Sequence, residues 1–155
     1  MYKKILVPLD GTKNDEVVVE HVRRLAKDSG SAVIFIQVYR VVKDTDPFMQ
    51  SIQMEAGSAG FRAKEKAAAY LPELEQSFAR DGIEASWEFL VAEGPEADEI
   101  VRYADENHCD LIALTNQART GLGRWFFTNI EEKVKRRSSL PLLLVADTRS
   151  KEKSR

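Results

Sequence analysis

The sequence predicts an α/β fold: an open, five-stranded, mostly parallel sheet with helices on both faces. Three observations predict it. Short apolar, β-branched runs alternate with longer stretches whose apolar residues recur at helical spacing, in the order βαβαβαβαβ. The run Ala32 to Tyr39 is apolar at nearly every position, the pattern of a strand covered on both faces and therefore parallel and central. Turn chemistry at Asp10-Gly11-Thr12, Gly30 and Asp81-Gly82 separates these runs where a strand or helix must end.

Taken in order, Ile5-Leu6-Val7 reads as a buried strand that breaks at Pro8. A helix follows, capped at Asn14 or Asp15, with Val18, Val22, Leu25 and Ala26 on one face and Gly30 as its stop. After the second strand, residues 40–60 carry punctuation (Asp44, Asp46, Pro47, Gly57, Gly60) and read either as a functional connection or as the start of the next helix. Phe61 to Arg80 is helical, with Ala67, Leu71, Leu74 and Phe78 on one face and Pro72 expected to kink or break it. Ile83, Ala85, Trp87, Phe89 and Val91 alternate with polar residues, so the third strand has one wet face. Gly94-Pro95 opens a third helix with the buried stripe Ala97, Ile100, Val101 and Ala104. Asp110 to Leu114 is the fourth strand. A polar loop from Thr115 to Thr120 and Gly121-Leu122-Gly123 lead into a fourth helix ending near Arg137. Pro141 to Val145 is the last strand. One domain over 1–147 is expected, with a polar tail over 148–155.

At 155 residues, with 43% hydrophobic and 31% charged residues, the chain can bury a core without disulfides or metals. A net charge of −2 offers no general attraction to nucleic acid or anionic membrane, and neither is an expected partner. No apolar run approaches the roughly 20 residues of a membrane span. Pro8, Asp10 and Gly11 end the first apolar run far short of a signal core, so the expected location is the cytoplasm. In a doubly wound sheet ligands sit beyond the carboxyl ends of the strands at the point where strand order reverses. That directs attention to the loops after the first and fourth strands, Pro8 to Lys13 and Thr115 to Gly123.

Three segments, KKILVPLDGT (3–12), VAEGPEADEIVRYADENHCDLIAL (91–114) and RTGLGRWFFTNIEEKVKRRSSLPLLLV (119–145), stand in an order and at separations that resemble the universal stress protein family over almost the whole chain. The resemblance implies a nucleotide-binding-like fold (Rossmann-like, adenine nucleotide α-hydrolase-like). It also implies homodimers that often pair through the last strand, and roles in stress tolerance and signalling, with ATP bound by some members and not by others. ATP-binding members carry Gly-x-x-Gly and then Gly-Ser/Thr between the fourth strand and fourth helix. On this chain the glycine positions fall on Thr115, Ala118 and Thr128, and the hydroxyl position on Asn129. None of the three is glycine, so backbone amides would be shielded from a phosphate and a positive-φ turn at Thr115 would be strained. Thr128 and Asn129 can still donate hydrogen bonds, and Arg119 and Arg124 can offer charge-assisted contacts. Pro8, Asp10 and Val38 match positions that line the base and ribose side in ATP-binding relatives. The same residues also have plain structural readings: Asp10 as a turn cap and Val38 as a strand end.

Other conspicuous residues read as structural. Trp125-Phe126-Phe127 packs a helix or fills vacated nucleotide space, and Lys133, Lys135, Arg136 and Arg137 offset a helix macrodipole. His21 and His108 lack ligand-spaced neighbours, and Cys109 reads as a small buried residue. No metal site and no catalytic residues are expected. The expectation is thus a non-catalytic, dimeric stress-response or signalling module with a degenerate nucleotide site and no cofactor, paired with its copy through Pro141 to Val145, with a further protein partner left open. The alternatives are an ATP-binding switch with a divergent phosphate loop, or an ATP-hydrolysing or adenylating enzyme.

Overall fold

The computed structural model describes residues 1–41, 47–116 and 130–146, and the side chains of all of these except 47–59. The elements are β1 (Lys4–Leu9), α1 (Asp15–Ser29), β2 (Ala32–Arg40), α2 (Pro47–Arg80), β3 (Ala85–Ala92), α3 (Glu96–Glu106), β4 (Leu111–Asn116), α4 (Ile130–Arg137) and β5 (Leu142–Ala146). The five strands form one sheet in the order β3-β2-β1-β4-β5, and every pairing is parallel. The order reverses between β1 and β4, the pair whose loops the sequence singles out.

Period-two alternation sorts the side chains to the two faces. Ile5, Val7, Val33, Phe35 and Ala113 pack with Val18, Val22, Leu71 and Phe78, so α1 and α2 cover one face. Leu6, Ile34, Ile36 and Ile112 pack with Ala97, Ile100, Ala104 and Val134, so α3 and α4 cover the other. β2 lies inside the sheet, as its nearly continuous apolar run requires. Two polar clamps lock this frame. Arg23 of α1 donates to Asp81 at 2.6 Å and to the Ser77 hydroxyl at 2.8 Å, with its guanidinium 4.3 Å from the centre of the Phe78 ring. Asp110 accepts the backbone N–H groups of Lys3 and Lys4 at 2.8 and 3.0 Å, pinning the start of β1 beside that of β4.

One open reading is settled and three expectations change. The region read as either a connection or a helix start is helix from Pro47 onward, and α2 continues through Pro72 to Arg80. The adjoining Leu71 and the nearby Ala67 and Phe78 are fully or almost fully buried, and that packing outweighs the roughly 3 kcal/mol penalty of an interior proline. β1 does not stop at Pro8 but continues to Leu9, and β4 continues through Thr115 to Asn116, where Thr115 pairs with Val145. The basic end of α4 is as expected: Glu131 and Glu132 open it, Lys135, Arg136 and Arg137 close it, and Arg137 pairs with Asp98 of α3.

Candidate functional site

Pro8 shapes the crevice at the switch point. The Lys3 carbonyl accepts from Ala32 of β2 at 2.9 Å and the Lys4 carbonyl from Asp110, just before β4, at 3.0 Å. Odd positions of β1 therefore face β2 and even positions face β4. Pro8 is even, so the N–H that proline lacks is missing on the β4 side. The β1–β4 register is carried by Ile5↔Leu111 and Leu6↔Ile112, whereas the β1–β2 register extends to Leu9↔Gln37. A proline in this central strand is tolerated because it stands where the two strands part.

Beyond β1 the chain turns through Gly11, whose φ of 80° lies in the left-handed region and favours glycine. A side chain there would also press on Gln37 of β2, since an added Cβ would lie 3.3 Å from its Nε2. Asp10 caps the turn as its plain reading expects: one carboxylate oxygen accepts from the Thr12 N–H at 2.8 Å and from the Thr12 hydroxyl at 2.6 Å. Asp15, the first residue of α1, is only 3% exposed and accepts the N–H of Asp10 at 3.0 Å and of Gly11 at 2.8 Å. Across the crevice the Thr115 hydroxyl donates to the Asn14 carbonyl at 3.3 Å, tying the end of β4 to the same turn.

The electrostatics of this corner are dominated by acids. Burial, together with the neighbouring Asp10 carboxylate, pushes Asp15 up to about 7, against the pull of the two amides it accepts. Burial also raises Glu96 at the start of α3, with Asp10 adding to the rise and Arg40 opposing it. Tyr70 of α2 is pushed up to about 12 by burial and by the charges of Asp15, Glu16 and Asp10. The described crevice thus presents carboxylate acceptors suited to hydroxyl or amine donors and a negative field towards anions.

Of the residues the sequence nominates, Pro8, Asp10 and Thr115 come together here. Val38 stands one residue beyond Gln37 on β2, half-buried against the α3 face. Thr115 sits in extended, paired backbone, so the strained turn expected there is not at that residue. Ala118, Arg119, Arg124, Trp125-Phe126-Phe127, Thr128 and Asn129 lie outside the described residues. Sequence reasoning missed Gln37, Glu96 and Tyr70, and it left Asp15 as a cap or an acid without a positioned partner. Gln37 had a signal: it is the one amide inside the apolar run AVIFIQVY. Its Oε1 is buried and has no hydrogen-bond partner among the described residues.

Cys109 is buried, and burial raises its thiol to about 11, opposed by Lys4 and assisted by Asp110; such a thiol is unreactive. No helix among the described residues is long and apolar enough to cross a membrane.

Comparison with known proteins agrees with this geometry. A universal stress protein of Methanocaldococcus jannaschii is 29% identical over 147 residues, covering 94% of this chain and 82% of its own length. A universal stress protein solved in complex with cAMP matches with a TM-score of 0.66 at 20% identity, over 94% of this chain and 97% of that one. One from Archaeoglobus fulgidus solved in complex with dAMP matches with a TM-score of 0.64 at 17% identity, over 93% and 98%. At those identities the two structures attest the fold. The universal stress protein family profile matches residues 1–146, and this chain belongs to that family.

Proposed function

We propose that the chain is a non-catalytic, homodimeric stress-response module of the cytoplasm whose crevice is a degenerate nucleotide site. The observation that carries this reading is the acid lining of the crevice. The Asp10 carboxylate raises the proton affinity of Asp15, Glu96 and Tyr70, and Asp15 adds to that of Tyr70, so charge at this corner acts through a poorly screened medium. The same field opposes a polyphosphate, and the phosphate-loop positions carry Thr115, Ala118 and Thr128 in place of glycine. A nucleoside with one phosphate meets less of that opposition, and a sugar hydroxyl suits the Asp10 carboxylate. The relatives solved with cAMP and dAMP hold ligands of that kind. Titration calorimetry of the full chain should show ATP binding no tighter than about 100 μM, or not at all, a free energy of roughly 5.5 kcal/mol at most. Low-micromolar ATP binding would overturn the reading and restore the ATP-switch alternative.

The dimer reading rests on β5. It is one of the two edge strands of the sheet, and Leu144 is 42% exposed on it. An apolar sheet edge associates unless it is covered, and antiparallel pairing with its own copy would cover it with twofold symmetry. Leu144→Lys is expected to give a monomer by light scattering at micromolar concentration, with an unchanged far-ultraviolet spectrum. A dimer indifferent to Leu144→Lys would remove the interface from β5. Val145 is the wrong residue for this test: at 8% exposure it belongs to the core, and a lysine there would test folding instead.

A further inference from the structure

Asp15 is placed where two demands conflict. As a carboxylate it accepts two backbone N–H groups, from Asp10 and Gly11, across the turn that joins β1 to α1. As a buried group 3% exposed, with the Asp10 carboxyl in side-chain hydrogen-bonding contact, it favours the neutral acid. We propose that Asp15 is a proton-operated latch on the β1–α1 turn, sharing one proton with Asp10 and changing the shape of the turn as that proton comes and goes.

The step is simple. A proton from solvent, entering through the exposed Asp10 side chain, forms an O–H bond on Asp15. That hydroxyl donates to the Asp10 carboxylate, and the oxygen that now carries hydrogen is a weaker acceptor for its amide partner. One amide of the turn is loosened while one carboxyl–carboxyl bond is made. The charge of the pair falls from two negatives to one, and Asp10, which also holds the Thr12 N–H and hydroxyl, gains a donor. Gly11 at φ 80° supplies backbone freedom at the hinge. The surroundings favour proton uptake. Glu16 on α1 and Glu96 on α3 add negative charge, Tyr70 on α2 is a neutral phenol, and Gln37 on β2 and Thr115 on β4 are uncharged. Arg40 at the end of β2 is the cation that opposes the rise of Glu96.

The test is a pH titration of the uniformly labelled wild-type chain by NMR, following the Asp10 and Asp15 carboxyl carbons and the Asp10 and Gly11 amides. The Asp15 carboxyl and at least one of the two amides should move together with a midpoint of about 7, far above the 3.8 of an ordinary aspartate. In Asp15→Asn the Gly11 amide should be flat over that range. An Asp15 carboxyl that titrates below pH 5, or one that titrates near 7 while both amides stay still, overturns the proposal. No ligand enters the experiment, so its outcome is separate from that of the nucleotide titration.

Discussion

Replacing Asp15 by asparagine is expected to stabilise the protein at alkaline pH and leave it little changed at pH 3. The sign follows from linkage. The folded value of about 7 lies above the ordinary 3.8, so the folded state holds a proton that the unfolded chain has released between those values. The stability this confers is fully present below about 3.8 and is lost as pH rises through about 7. Above that, wild type folds with an ionised, 3%-exposed carboxylate beside Asp10, whereas asparagine stays neutral, accepts an amide N–H and can donate to Asp10. A rise of roughly 3 units corresponds to a difference of up to about 4 kcal/mol between the two proteins at pH 9. Urea unfolding of both at pH 3 and pH 9 measures it. Parallel pH profiles for wild type and variant would show that Asp15 is ionised throughout.

Asp110→Ala should have the second-largest effect, with the opposite pH signature. Its carboxylate accepts the N–H groups of Lys3 and Lys4, which have no other anchor described at the mouth of β1. Desolvation works to raise this carboxyl, but the backbone N–H groups of Lys3 and Lys4 and the Lys3 charge prevail, and its proton affinity is lowered. Its contribution is therefore present above the ordinary aspartate value and lost as pH falls through the lower folded value. Two charge-assisted bonds to backbone, partly exposed, are worth about 3 kcal/mol at neutral pH. Denaturant midpoints for wild type and Asp110→Ala at pH 7 should differ accordingly, and the gap should narrow at pH 2. Fraying of β1 should also appear as faster amide exchange at Lys4 and Ile5 in the variant. Equal midpoints at pH 7 would mean that β1 is held by its β2 ladder and core packing alone.

Set against each other, the two aspartates show where pattern reading stops. In the sequence Asp15 reads as a helix cap and Asp110 as the first residue of a strand. One is driven towards the acid by burial and a carboxyl neighbour; the other is held as a carboxylate by two amides more than 100 residues away. Which environment each receives depends on which strands lie side by side, and one-dimensional spacing does not carry that information.

The sequence by itself determined the fold of this protein. Periodicities of two and 3.6 residues, the doubly apolar run of β2, and glycine at the positive-φ positions 11, 30 and 82 are local signals, because they arise from backbone sterics and from which face each side chain must bury. The switch point between β1 and β4 followed from that alternation, and Asp10 with it. Only the tertiary structure decided the chemistry of the crevice. The parting of β1 from β4 at Pro8 depends on which way an absent N–H points. The extension of β4 through Thr115 depends on its pairing with Val145. The acid field depends on Asp15, Tyr70, Glu96 and Arg40 arriving from four elements at one corner. Burial and Coulomb interactions act through space between residues distant in sequence, so they exist only once the sheet has assembled.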